Sequence, residues 1–230
     1  MVQKQKLYER RTTVDLVFEF LYEEIASMRL LPGAKISEAE VAGQFDVSRQ
    51  PVRDAFSRLE NLDLLLIRPQ KATEVKRFST NAIATARFVR AGVEAEVLRQ
   101  AAQLCGQEGA ALLEACLDEQ RAVVKENSYD RFRVLDYQFH KTLCIIAEVE
   151  FVFDVIEKNK AKIDRLCVLG LNRDEHLGQL LDDHSRIAAM VTKNNEEGAV
   201  KAGRLHLSRL DSTIKKIQKE NADFFDDLAV

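Results

Sequence analysis

Apolar residues recur three and four positions apart along most of the chain, the period of helices that bury one face. Val14, Val17, Phe18, Leu21 and Ile25 predict a first helix over about Thr12 to Met28, ended by the turn formers Pro32-Gly33. Ser37 reads as an N-cap with Glu40 at capping-box distance, so a short helix is expected over Glu38 to Phe45. Asp46-Val47 interrupts it, and Ser48 caps a third helix that turns Val52, Ala55, Phe56 and Leu59 toward a core. Leu62 to Arg68 and Thr73 to Arg77 predict two short strands joined by a turn at Pro69-Gln70-Lys71-Ala72.

Beyond about Ser79 the pattern is helical throughout. Phe132, Leu135, Phe139, Leu143 and Ile146 draw one apolar stripe. Val200, Gly203, Leu207, Leu210, Ile214 and Ile217 draw another, expected down one long final helix. No fixed-period repeat interrupts this, so a helical bundle is expected, not a solenoid. The predicted architecture is mainly α: a winged helix-turn-helix domain over residues 1–77 and an all-α helical bundle over 78–230.

Composition agrees with a folded, helical chain of 230 residues: 46% are hydrophobic and only 3 are proline. No apolar run approaches the roughly 20 residues of a membrane span, and the basic start is followed by Asp15, Glu19, Glu23 and Glu24 instead of a signal-peptide core. A cytoplasmic protein that does not cross a bilayer is expected. Cys105, Cys116, Cys144 and Cys167 form no CxxC pair, and inert packing is expected of them.

Charge is uneven. Residues 1–77 hold 13 Lys+Arg against 12 Asp+Glu, and residues 78–230 hold 21 against 25. The basic residues of the first part gather in Lys4, Lys6, Arg10 and Arg11 and between Arg49 and Arg77, which would make one positive face. Two short helices across a tight break, then a hairpin, is the order of a winged helix-turn-helix. Its second helix begins with Ser48, Arg49, Gln50 and Arg53, and arginine can grip the O6 and N7 acceptors of guanine with two hydrogen bonds. The plainer alternative is a solvated surface helix.

The residues themselves narrow this choice. Leu31-Pro32-Gly33-Ala34-Lys35-Ile36-Ser37-Glu38, Val41-Ala42, Val47-Ser48-Arg49-Gln50-Pro51-Val52-Arg53-Asp54-Ala55 and Arg58-Leu59-Glu60 closely resemble the N-terminal signature of the GntR family of transcription regulators. The likeness covers about residues 12–77. It implies binding of double-stranded DNA, with Lys71 on the wing and the basic tail holding the backbone. Three positions depart from the family pattern: Asp46, Asp63 and Ala72 stand where glycine is usual.

In the second part, Asp136 and His140 share a helix face with Phe132, Phe139 and Leu143. His184 aligns with Ile187, Ala188 and Val191, and His206 lies in line with Ala202 and Leu210. Three of the four histidines and an acid therefore point inward, a donor set that suits a divalent metal ion: zinc, nickel, manganese or iron. Hydrogen-bonded core histidines are the alternative. This part resembles the FCD ligand-binding domain of the FadR-like branch of the same family, over about residues 80–220. That likeness implies metal ligation by Asp136, His140, His184 and His206, and an R-x3-E on the domain's first helix at Arg90 and Glu94. Glu148-Val149-Glu150 replaces the small-Gly-Asn turn of many members. Arg90 facing the same cavity would clamp an effector's carboxylate; otherwise it and Glu94 form a surface pair. His176 is expected in a loop or at a helix start, outside the site.

The expected function is a ligand-responsive transcription regulator, a repressor by family habit. It would be a homodimer whose two reading heads meet a palindromic operator and whose effector is a small organic acid such as a sugar acid, hydroxy acid or fatty-acid derivative. The rivals are a metal-dependent hydrolase at the Asp/three-His cluster, with no catalytic residues assigned, and a metal-free DNA-binding scaffold.

Overall fold

The computed structural model describes residues 11–170 and 173–226, with the side chains of residues 167, 170, 173–176, 212 and 213 left aside. Lys4, Lys6, Arg10 and the side chains of Cys167 and His176 thus lie outside the described residues; the His176 backbone is helical. Contacts divide the chain into two compact units that part between Phe78 and Ser79.

The first unit contains α1 (Thr13–Ala26), β1 (Lys35–Ile36), α2 (Glu38–Phe45), α3 (Arg49–Asn61), β2 (Leu65–Leu66) and β3 (Thr73–Val75). Val17, Leu21 and Ile25 of α1 pack with Val52, Ala55, Phe56 and Leu59 of α3, all buried, as the periodicity requires. Capping differs from expectation. Ser37 accepts a hydrogen bond from the Ala39 amide, while the reciprocal capping box forms at Thr12, which accepts from the Asp15 amide as Asp15 accepts from the Thr12 amide. Arg58 adds a second partner for Asp15 at 2.8 Å, and together these hold its carboxyl down at about 2. Thr12→Ala is expected to destabilise this unit by about 1 kcal/mol, readable in a urea titration.

The two strands of the wing are joined by a third that the sequence pattern did not predict. β1 pairs with β3, which pairs with β2, all antiparallel, with Lys35 and Leu66 both registered on Glu74. Two residues are too few to show alternation, so β1 carries no periodic signal. Asp46 and Asp63 occupy the left-handed region at φ 52° and 64°, a conformation that aspartate tolerates, so the turns after α2 and α3 form without glycine. At the wing tip the left-handed residue is Gln70, at φ 59°, and Ala72 is not called on for it.

The second unit is built from α4 (Thr80–Leu104), α5 (Gln107–Lys125), α6 (Tyr129–Ile146), α7 (Phe153–Gly170), α8 (Arg173–Thr192), α9 (Glu196–Ser208) and α10 (Leu210–Glu220). α4 packs against α9 and α7, α8 against α5 and α9, and α5 against α6. Phe139, Leu143, Leu117, Val97, Ile187 and Val191 meet in the core. Gly203 permits the close approach of α9 to α4: a Cβ there would collide with the Leu98 side chain. The turn after α6 takes its left-handed residue at Glu148, φ 57°, where the family pattern favours a small residue.

The expected long final helix is two. The ladder breaks at Arg209, where α9 ends and α10 begins. The apolar spacing runs unbroken through the break because Arg209 keeps helical angles, φ −57° and ψ −29°. Among the described residues no helix is long and apolar enough to cross a membrane.

Candidate DNA-reading surface and buried metal-type cluster

In the first unit, α3 presents its N-terminal end to solvent. Ser48, Arg49, Gln50 and Arg53 are exposed, and Val52, Ala55 and Phe56 hold the opposite face against the core. Ser48 occupies the N-cap position but makes no capping hydrogen bond, so the cap expected of its side chain does not form and its hydroxyl is spare. Gln50 donates to Asp54 at 2.9 Å. Arg53 is gripped by Glu38 of α2 through both carboxylate oxygens, at 3.0 and 3.3 Å. Arg53 is exposed and Glu38 half-buried, and such surface ion pairs contribute little, so Arg53 can exchange Glu38 for a phosphate or base at little cost. Among the described residues Arg49 has no ion-pair partner, nor has Lys71 at the exposed wing tip. Asp63 lies against Lys76, which neutralises one of the two acids that replace glycine.

In the second unit, α6 supplies Asp136 and His140, α8 supplies His184 and α9 supplies His206. All four are buried, and one donor atom from each lies within 4.8 Å of the others. Asp136 Oδ1 is 3.2 Å from His184 Nε2 and 3.8 Å from His140 Nε2. The far nitrogens are fixed from behind. His140 Nδ1 meets Glu94 Oε2 at 2.9 Å, and His184 Nδ1 meets Gln120 Oε1 at 2.8 Å. Gln120 in turn donates to the Leu135 carbonyl, so its oxygen faces the imidazole, which must donate from Nδ1. That leaves His184 Nε2 as a lone pair pointed inward, and both it and His140 Nε2 are buried without a hydrogen-bond partner. Phe139 stacks on His184 with ring centroids 4.2 Å apart.

Electrostatics keeps the cluster in the form a metal ion needs. Burial pushes the pKa values of His184 and His206 down, so both rings are neutral near pH 7. Burial opposes the charge of Asp136, but the Lys160 ammonium bonded to it outweighs burial and the carboxyl lies well below its ordinary range. Glu94 is held down likewise, against burial, by Arg90 and His140. His206 Nδ1 lies 3.8 Å from Asp183, which Arg209 grips with two hydrogen bonds. Three imidazoles, one ionised carboxylate and fixed outer partners fit a divalent metal.

Arg90 and Glu94 are not a surface pair. Both are buried, bonded at 2.6 Å, and Glu94 links Arg90 to His140. Arg90 also lines a cavity of about 60 Å³ beside the cluster, with Lys160, Asp164 and Arg209. Lys160 bonds Asp136 Oδ2 at 2.6 Å and Asp164 at 2.8 Å. Sequence reasoning passed over Gln120 and Lys160, yet each sits on an apolar stripe: Gln120 continues Leu113 and Leu117, and Lys160 stands between Ile156 and Ile163. A polar residue on a buried face was the available signal.

The comparisons bear on both parts. Residues 13–75 match the family described as bacterial regulatory proteins, gntR family, and residues 86–209 match the FCD domain. The HTH-type transcriptional repressor RspR of Escherichia coli is 32% identical over 209 residues, covering 91% of this chain and 92% of that protein. Among solved structures, E. coli McbR/YncC superposes with TM-score 0.74 at 17% identity, over 92% of this chain and 100% of that one. A putative GntR regulator from Rhodococcus sp. RHA1 gives 0.71 at 20% identity, over 88% and 97%. At these identities the two structures speak for the fold alone. By its paired domains and its likeness to RspR, the chain belongs to the GntR family of DNA-binding transcriptional regulators, in the branch with an FCD domain, and is not an enzyme.

Proposed function

We propose that the chain is a metal-dependent, acid-responsive repressor. Residues 1–77 bind the operator through Ser48, Arg49, Gln50, Arg53 and Lys71. Residues 78–230 dimerise and bind effector. A homodimer matches two reading heads to two half-sites of a palindrome. The repressor sense follows from the name of RspR. Asp136, His140, His184 and His206 hold the metal, zinc first among the candidates, which when bound supplies a Lewis-acidic anchor for an effector carboxylate.

The observation that carries this reading is the convergence of two partnerless imidazole Nε2 atoms and an ionised carboxylate beside a cavity that Arg90 lines. Arg90 Nη2 is buried without a hydrogen-bond partner, an unspent donor for an anionic ligand. Effector binding changes operator affinity only as far as it favours one arrangement of the protein over another.

The test is operator binding by the zinc-loaded protein in the presence of small organic acids. At least one acid is expected to weaken binding tenfold or more, and to lose that effect in Arg90→Met. Operator affinity indifferent to every acid tried would overturn the effector claim.

A further inference from the structure

The structure assigns α10 a transmitting role: it is a lever, hinged at Arg209, that carries the occupancy of the buried cluster to the start of α4, where the chain leaves the DNA-reading unit. This rests on the reading of the cluster as a metal site and names how its occupancy is passed on.

Arg209 is the one residue between α9 and α10. No proline or glycine marks the break; what marks it is the Arg209 side chain, which gives two hydrogen bonds, at 2.8 and 2.9 Å, to Asp183 of α8. Asp183 is buried, directly precedes His184 in the chain, and turns toward His206 Nδ1, 3.8 Å away, the same oxygen that Arg209 Nε holds. A shift of either imidazole is thus passed to one carboxylate and from it to the break. Arg209 also borders the cavity beside the cluster. Hinges are built from such element-terminal positions, where a small change of backbone angle turns everything beyond it.

Beyond the break, α10 lies against α7 and is tied to α4 by polar contacts. Asp211 pairs with Arg87, and Gln218 donates to Thr80 Oγ1 at 2.9 Å. Along this seam the packing is hollow: a cavity of about 190 Å³ is lined by Thr80, Ile83, Arg87, Asp211, Ile214 and Gln218, and another of about 180 Å³ by Arg87, Ala91, Leu207 and Leu210. Interdigitated side chains resist displacement, because a shift forfeits contacts or makes clashes; a hollow seam lets α10 swing while its polar ties carry the motion. Thr80 opens α4 and stands two residues beyond Phe78, the last residue of the first unit. A swing of α10 therefore pulls, through Gln218, on the first turn after that boundary. The lever works as far as the filled and empty cluster favour different positions of α10.

The experiment is hydrogen–deuterium exchange of the full chain with and without saturating zinc, beside binding to DNA from upstream of its own gene under the same two conditions. In native protein zinc is expected to slow exchange at least fivefold in α10 and in the first two turns of α4, and to change DNA affinity at least threefold. Arg209→Met, which removes the clamp and keeps an apolar stem, should still bind zinc and slow exchange around His184, while α10 and DNA affinity no longer respond. Gln218→Ala, a milder change at a half-buried position, should keep the response of α10 and lose that of α4 and of DNA affinity. Bound zinc that leaves α10 exchange or DNA affinity unmoved in native protein, or native responses in either variant, would overturn the lever and leave the metal reading intact. Failure of zinc to bind the native protein would overturn both.

Discussion

The double variant Arg49→Ala/Arg53→Ala is expected to lose about 100-fold or more in operator affinity while keeping its fold. A well-placed bidentate contact from arginine to guanine contributes about 1–3 kcal/mol of discrimination, so two such contacts give roughly 30-fold to 10⁴-fold. Neither side chain supports the core, since both are exposed on the outer face of α3. Arg53 surrenders the Glu38 pair on binding, which subtracts little from its share. Arg49 surrenders no ion pair among the described residues, so the single variant Arg49→Ala should account for the larger part. Fluorescence anisotropy with labelled operator reads both effects, and unchanged circular dichroism excludes unfolding as the cause. Affinity within threefold of native would remove α3 as the reading element.

The second large effect concerns the metal. Asp136→Ala/His140→Ala is expected to reduce bound zinc from about one atom per chain to less than about a tenth after dialysis. Replacing an outer partner of a metal ligand typically weakens affinity by about 10–100-fold, and here two direct ligands go at once, so about 10³-fold or more is anticipated. Zinc should also raise the melting temperature of the native protein, because binding to the folded state alone adds RT ln(1 + [L]/Kd), and that rise should vanish in the variant. Native protein purified without chelator that holds no metal, and gains no stability from zinc, would instead support histidines satisfied by hydrogen bonds.

Much of this architecture was legible in the sequence because helices announce themselves locally. The spacing of Val17, Leu21 and Ile25, or of Phe132, Phe139 and Leu143, is set by the pitch of one helix and needs no knowledge of its partners. The four residues of the buried cluster were legible for the same reason: each lies on the apolar stripe of its own helix. What could not be read depends on contacts distant in sequence. Arg90 and Glu94 look like any solvent pair one turn apart, and only the packing of α6 and α7 against α4 buries them and brings Glu94 to His140. The division of the last helix at Arg209 leaves no trace in hydrophobic spacing, yet Arg209 bonds Asp183, the acid beside His206. Replacement of glycine by Asp46 and Asp63 casts doubt on the turns when glycine is taken as a requirement; left-handed aspartate meets the same need.

The central claim is that this chain reads DNA sequence, and the most direct measurement is a titration of the native protein against DNA from upstream of its own gene and against a scrambled duplex, at two or more salt concentrations. The account predicts binding to the upstream DNA at least about 10³-fold tighter than to the scrambled duplex, with both affinities falling as salt rises. Equal affinity for the two duplexes at every salt concentration would contradict it.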